Sequence, residues 1–287
     1  MRALDVDSIL HPFTREQFFA TVLGRTFVHI PSQNKPLADI LSWPDLNSIL
    51  RNVYPLVSRV RLVNNCQDVS PSDYIKQISL RDGSTKEFLS APAVAQFMRQ
   101  GATLIVGSID RLHNPISMLA EHLEQYFGTY VNVNLYVSYR RVSAFDIHWD
   151  DHDVIVLQLS GSKVWNIYGK TTSSLVSNNN YDEPRPSSEP LWSADINEGD
   201  VLYIPRGWWH SVLPNDEPAI HLTFGLTPVT GQDFLRWATD QVIDTESLTV
   251  DLPPCFEEVT EPTSLDYVRM IQSNMENMLS QATVYRT

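Results

Sequence analysis

The run His148-Trp149-Asp150-Asp151-His152-Asp153-Val154-Ile155-Val156-Leu157-Gln158-Leu159-Ser160-Gly161-Ser162-Lys163-Val164-Trp165 decides how this chain folds. It opens on histidines and carboxylates, becomes apolar from Val154, turns at Gly161 and restarts at Lys163. A short apolar run bounded by turn residues predicts a buried strand, and the restart predicts its neighbour. His148 and Asp150 stand at i and i+2, so on an extended strand both side chains point to the same face. A second run, Gly199-Asp200-Val201-Leu202-Tyr203-Ile204-Pro205-Arg206-Gly207-Trp208-Trp209-His210, ends on a further histidine that a sheet returning on itself brings to the same place. Two histidines and one carboxylate can occupy one face of an octahedral metal and leave its other positions open. Singly these residues say little, because an HxD triplet occurs by chance and a histidine among tryptophans is usually packed. Together they point to a metal site at His148, Asp150 and His210.

Working outward, Val131 to Tyr139 alternates with period two. Further strands are predicted at 102–106, 154–159, 163–168, 200–204 and 220–226. Many short strands with Gly and Pro turns suggest a double-sheet jelly roll of the cupin kind. Ahead of them the first hundred residues mix helix and strand signals. Thr14-Arg15-Glu16-Gln17 has the form of a capping box. Thr26 to Ile30 reads as a strand ended by Pro31, Ser42 with Pro44 starts a helix through Ile49, and Val60 to Val63 alternates. The segment 115–127, apolar at Ile116, Leu119, Leu123 and Phe127, predicts a helix closed by Gly128. After 229 the chain turns helical, with stripes at Phe234, Leu235, Ala238 and Val242 and again at Val268, Ile271, Met275 and Met278. The expected organisation is N-terminal α/β elements packing on the barrel over 1–100, a barrel over 101–228 and a helical segment over 229–287. The loop 171–190, rich in Ser, Asn and Pro, falls between the second and third candidate ligands and is expected to be a substrate-facing lid.

Composition narrows the partners. The chain has 287 residues and a formal net charge of -13. Such a surface repels phosphate backbones, and no basic cluster marks a nucleic-acid footprint, so no nucleic-acid partner is expected. Residues 229–287 hold ten acids against three arginines. No apolar stretch has the length of a membrane span, and acids stand where a signal peptide would be apolar. Cys66 and Cys255 are too few for a disulfide framework, which makes the reducing cytoplasm the expected location.

The two motif runs resemble the JmjC-type, cupin-like 2-oxoglutarate oxygenases, in the branch of the ribosomal oxygenases. The first matches that branch's H-[YW]-D, D-V, Q-[LV]-x-G and K-x-W elements, and the second its G-D-x-L-Y-x-P-R-G-x-x-H segment. Asn134-Leu135-Tyr136 is similar to the N-x-Y strand upstream. The likeness covers residues 100–228. It implies an Fe(II)- and 2-oxoglutarate-dependent dioxygenase that uses O2 to hydroxylate an unactivated C–H bond, with a protein or peptide side chain of the Arg or His type as substrate. His148, Asp150 and His210 would hold the iron. Lys163 would pair with the distal carboxylate of 2-oxoglutarate, Tyr136 would add a hydroxyl, and Asn134 would line the site. This agrees with the physical need of a dicarboxylate in a dry pocket for a cation at one end and a metal at the other. Gly225 departs from the pattern, standing where some relatives place a serine, and Thr223 is the candidate substitute. The resemblance also implies a homodimer through the C-terminal helices, and a chain lacking the winged-helix module of longer relatives.

Other readings stand beside this one. They are an oxygenase of a small metabolite or a natural-product peptide, an N-methyl demethylase, and a non-catalytic metal-binding cupin. Lys163 argues against the last. By alternation His152 shares a face with His148 and Asp150 and could reach the pocket as a substrate contact, but it reads rather as a strand-entry polar residue. His221 reads as structural, with a place at the pocket rim as the alternative. Trp149, Trp208 and Trp209 are expected either to rim the pocket or to pack the barrel.

Overall fold

The computed structural model describes residues 5–32, 37–52, 57–172, 185–186, 189–243, 266, 268–274 and 276. The chain forms two units, Met1–Pro228 and Val229–Thr287. In the first unit the strands are β1 (Val28–Ile30), β2 (Val60–Asn64), β3 (Gln67–Asp68), β4 (Ile75–Ser79), β5 (Thr85–Leu89), β6 (Thr103–Val106), β7 (Tyr130–Ser138), β8 (Asp153–Ser160), β9 (Lys163–Lys170), β10 (Trp192–Ile196), β11 (Val201–Ile204), β12 (Trp208–Pro214) and β13 (Ala219–Thr227). Its helices are α1 (Val6–Leu10), α2 (Arg15–Thr21), α3 (Trp43–Asn52), α4 (Pro71–Tyr74), α5 (Ala91–Arg99) and α6 (Asn114–Phe127). Eight strands form the larger sheet in the order β1-β11-β8-β13-β7-β6-β2-β3, three form a smaller sheet, β10-β9-β12, and β4 with β5 is a separate hairpin. This mostly antiparallel double-sheeted core with added helices is the expected jelly roll.

Alternation along three strands of the larger and smaller sheets positions the site. On β7, Val131, Val133, Leu135 and Val137 enter the main apolar core, while Asn132, Asn134 and Tyr136 face the other way and line a cavity. On β13, Ile220, Leu222, Phe224 and Leu226 take the core side, and His221, Thr223, Gly225 and Thr227 take the cavity side. Strand β8 is central, between β11 and β13, so both its faces are covered and it shows the unbroken apolar run that such a position requires. On β9, Lys163, Trp165 and Ile167 are buried and the residues between them are half-exposed. The period of two therefore turns the lysine inward.

The N-terminal elements cap the core face. Thr14 and Gln17 form the predicted capping box, each side chain bonded to the other's main-chain N–H. Helix α6 starts with Pro at its first turn and stops at Gly128, whose φ of 66° is the left-handed cap conformation that glycine tolerates best. The first hundred residues also supply strands to the larger sheet: β1 pairs with β11, and β2 with β6. Tyr203 ties them together. Its hydroxyl donates to Asp153 Oδ2 at 2.7 Å and accepts from the Gly24 N–H at 2.8 Å, while its ring meets Phe18 edge-on.

In the second unit, α7 spans Gly231–Ile243, and residues 268–274 are helical. Ile271 belongs to that described helix; Met275 and Met278 of the predicted stripe lie outside the described residues. Most of the loop read as a lid, 173–184 and 187–188, likewise lies outside them. Among the described residues, no helix is long and apolar enough to cross a membrane.

Candidate metal centre

His148 and Asp150 do not lie on a regular strand, contrary to the i, i+2 reading. They sit in the connection between β7 and β8, where His148 makes an isolated antiparallel bridge to His210 on β12. The His148 N–H donates to the His210 carbonyl at 3.1 Å, and the His210 N–H to the His148 carbonyl at 2.8 Å. The Gly207 N–H donates to the Asp150 carbonyl at 2.8 Å, anchoring the other end of the triplet. Pairing with β12 thus does the work expected of a strand. A register shift between Trp209 and His210 re-aims the second histidine, a common use of a β-bulge beside a site.

The rings are set for a metal. His148 Nδ1 lies 2.8 Å from the Asp146 carbonyl, and His210 Nδ1 lies 3.0 Å from that of Trp208. A carbonyl only accepts, so each Nδ1 carries the proton and each Nε2 keeps a free lone pair. The ring centroids are 4.4 Å apart, and His210 Nε2 is 3.6 Å from Asp150 Oδ2. One ligand atom from each of His148, Asp150 and His210 lies within 4.8 Å of the others. Burial, helped by the neighbouring His148, holds the His210 imidazole down to about 4 against the pull of Asp150. The ring is therefore neutral, as a ligand must be.

These residues border a cavity of about 230 Å³ that runs inward between the sheets. Lys163 lies on its wall, 1 % exposed. Desolvation alone brings its ammonium down to about 7, and among the described residues it has no ion pair. A buried cation without an anion is costly, so this end of the cavity is built for an anionic ligand. Tyr136 also lines it, its hydroxyl pushed up to about 12 by burial and by the charge of Asp150. Asn134 and Thr223 are opposite one another on β7 and β13 and line the same space. The structure therefore brings together all seven candidates, His148, Asp150, His210, Lys163, Tyr136, Asn134 and Thr223.

Three further residues line the cavity: His152 and His221, which are read otherwise from sequence, and Asn132, which is not singled out there. His152 precedes β8 as a strand-entry residue does, yet its ring reaches the cavity and lies over Gly225. A Cβ at Gly225 would fall 2.7 Å from His152 Cδ2, so the ring fills the space that a serine there would need. His221, assigned a structural role from sequence, is 4 % exposed and faces the cavity. Asn132 shares the face of Asn134, and alternation from Asn134 could have found it. Trp149, Trp208 and Trp209 are not among the residues lining the cavity, where the aromatic wall is Trp165 and Phe145. Trp208 packs against Phe27 in a small apolar cluster instead.

An open-faced cluster of two histidines and a carboxylate between the sheets of a jelly roll defines a cupin-like protein with a mononuclear metal site. Comparison with known proteins is more specific. Residues 111–234 match the JmjC domain family, and proteins of the ribosomal-oxygenase-like branch are among those the chain is similar to. A Brugia malayi protein named bifunctional lysine-specific demethylase and histidyl-hydroxylase NO66 is 26% identical over 238 residues, 79% of this chain and 32% of that protein. Ribosomal oxygenase 1 of Gallus gallus is 33% identical over 139 residues, 46% of this chain and 23% of its own length. The chain thus spans a third or less of these two relatives. Among solved structures, Escherichia coli YcfD superposes with a TM-score of 0.59 at 18% identity, covering 96% of this chain and 70% of that one. YcfD has also been solved in complex with cobalt and 2-oxoglutarate, with a TM-score of 0.59 at 17% identity, covering 93% of this chain and 67% of that one.

Proposed function

We propose that this chain is an Fe(II)- and 2-oxoglutarate-dependent dioxygenase that hydroxylates an unactivated C–H bond on a protein or peptide side chain. One observation carries the reading. A three-ligand cluster with free Nε2 lone pairs shares a cavity with a buried lysine that has no anion among the described residues. His148, Asp150 and His210 would hold the metal. Lys163 and Tyr136 would bind the far carboxylate of the co-substrate, with Asn134 and Thr223 beside it. Bound iron and 2-oxoglutarate supply the activation of O2 and the oxidation of the C–H bond, with loss of carbon dioxide from the co-substrate. The chain's own residues fix the ligand geometry, and Val154, Trp165 and Val212 provide apolar walls that exclude water.

A protein substrate with an Arg or His side chain is supported by the names of the relatives, which include a histidyl-hydroxylase and a ribosomal oxygenase. It is also supported by the net charge of -13, which favours encounter with basic partners. A homodimer through residues 229–287 and a cytoplasmic location belong to the same reading, supported by the likeness to the ribosomal oxygenases and by the paucity of cysteine.

The test is anaerobic calorimetric titration of 2-oxoglutarate into protein loaded with Mn(II). We expect binding that requires the metal and is lost in Asp150→Ala and Lys163→Ala. Failure of folded, metal-loaded protein to bind the co-substrate would overturn the proposal.

A further inference from the structure

Strand β13 offers the cavity four positions, His221, Thr223, Gly225 and Thr227, and Gly225 carries no side chain. His221 feels the buried lysine: burial first, and then the ammonium of Lys163, hold this imidazole well below its usual range. The ring is fixed on two sides, stacked on Tyr136 with centroids 4.7 Å apart and meeting Trp165 edge-on at 5.6 Å. Its main chain is locked between Tyr136 on β7 and Gln158 on β8. Yet its Nδ1 is buried with no hydrogen-bond partner among the described residues. An orphaned buried polar atom in a rigid site calls for an explanation.

The neighbours do not provide one. Lys163 is donor-only, and a neutral imidazole beside it has one N–H to give and one lone pair. Lys163, His221 and Tyr136 line the same cavity, and among the described residues no acidic side chain is bonded to Lys163 or to the His221 Nδ1. A carboxylate has four lone-pair sites and satisfies all three at once. A histidine kept only for packing would be better served by an apolar side chain of similar size, which leaves no atom unsatisfied.

We propose that His221 binds 2-oxoglutarate, donating its ring N–H to the same carboxylate that Lys163 holds. This rests on the function proposed above and adds to it a contact that compensates for the missing side chain at Gly225. It predicts a specific dependence on the ligand's second carboxylate, which a structural role for His221 does not.

The experiment uses the full chain loaded with Mn(II) under anaerobic conditions. Two ligands are titrated: 2-oxoglutarate, and 2-oxobutanoate, which keeps the metal-chelating end but lacks the far carboxylate. His221→Phe preserves the ring shape without the N–H, and His221→Gln restores a donor. We expect the Phe variant to bind 2-oxoglutarate about tenfold more weakly, the loss of roughly one hydrogen bond to a charged group. Its affinity for 2-oxobutanoate should stay within about twofold of wild type, and Gln should recover most of the loss. A parallel weakening for both ligands, or no weakening for either, overturns the assignment.

A second measurement covers the case of a Phe variant that does not fold. Wild-type protein with ¹⁵N-labelled histidine, loaded with diamagnetic Zn(II), is titrated with 2-oxoglutarate. A newly exchange-protected His221 ring N–H supports the contact, and an unchanged His221 signal at saturation overturns it. If wild type binds no 2-oxoglutarate in either experiment, the co-substrate assignment itself falls and takes this one with it. If wild type binds 2-oxoglutarate and the Phe variant does not distinguish the two ligands, His221 alone is removed.

Discussion

His148 and His210 hold each other by their main chains and leave their side chains free for the metal. The reciprocal N–H to carbonyl bonds of 3.1 and 2.8 Å close a two-residue ladder, and each Nδ1 is occupied by a further carbonyl. Ligand geometry here is set by backbone, so removing a ligating side chain should not dismantle the site.

That separation predicts the behaviour of ligand variants. Asp150→Ala should lower Mn(II) affinity by more than about 100-fold, beyond what losing a group behind a ligand costs. The metal-free variant should melt close to metal-free wild type, because the Asp150 carbonyl still accepts from Gly207. Electron paramagnetic resonance titration of Mn(II) with parallel thermal melts checks both halves. Retained metal binding would remove Asp150 from the ligand set.

Lys163 should be a site where function opposes stability. Burial holds it down to about 7 in the folded chain, against 10.5 when free. Between those values the unfolded chain binds more protons than the folded one, so stability rises with pH across that window. Below it the penalty of a buried ammonium is fully present. Lys163→Met should therefore stabilise the ligand-free protein at neutral pH by roughly 2–4 kcal/mol, while abolishing co-substrate binding. It should also flatten the rise in stability above neutral pH. Urea denaturation of both proteins across that range is the check, and a variant no more stable than wild type would contradict it.

Much of this was legible in the sequence because alternation is a strong signal. Asn134, Tyr136, Lys163 and Thr223 come from the likeness to the ribosomal oxygenases, and the period of two along β7, β9 and β13 agrees with it by turning each of them toward the cavity. The capping box at Thr14 and the stop at Gly128 were legible for a similar reason, since each is a local hydrogen-bonding or φ requirement. What escaped depends on non-local pairing. The i, i+2 logic at His148 assumed a regular strand, whereas an isolated bridge to His210, far along the same chain, supplies the geometry. Alternation also placed His152 on the site's face, yet nothing local says that its ring will occupy the space above Gly225, a residue far along the chain. The exposed β4–β5 hairpin carries too few buried residues to show an apolar pattern.

Tyr203 should matter to stability and not to chemistry. Its hydroxyl joins Asp153 to the main chain at Gly24, and Asp153 also accepts from the Arg206 N–H at 2.8 Å. Tyr203→Phe leaves a buried carboxylate oxygen and a main-chain N–H without their partner, a loss of about 2–3 kcal/mol. The residue does not line the metal cavity, so Mn(II) and 2-oxoglutarate affinities should be unchanged in the folded variant. Chemical denaturation and calorimetry together separate the two effects. A change in ligand affinity at full folding would show that the strut also shapes the site.

Gly225 and His152 should be coupled. Building a Cβ at Gly225 puts it 2.7 Å from His152 Cδ2 and 2.9 Å from its Nε2, closer than carbon atoms pack. Gly225→Ser must therefore displace the imidazole, at a cost of about 1–3 kcal/mol for overpacking a fitted site. His152→Ala removes the obstacle from the end of a half-exposed side chain and should cost little by itself. The double variant should recover most of the loss, giving a coupling energy of about 1 kcal/mol or more in a double-mutant cycle. The serine in that double variant also gains access to the cavity, so 2-oxoglutarate binding should be at least as tight as in wild type. Additive effects of the two substitutions would mean that the ring yields freely, and that His152 does not account for the glycine at 225.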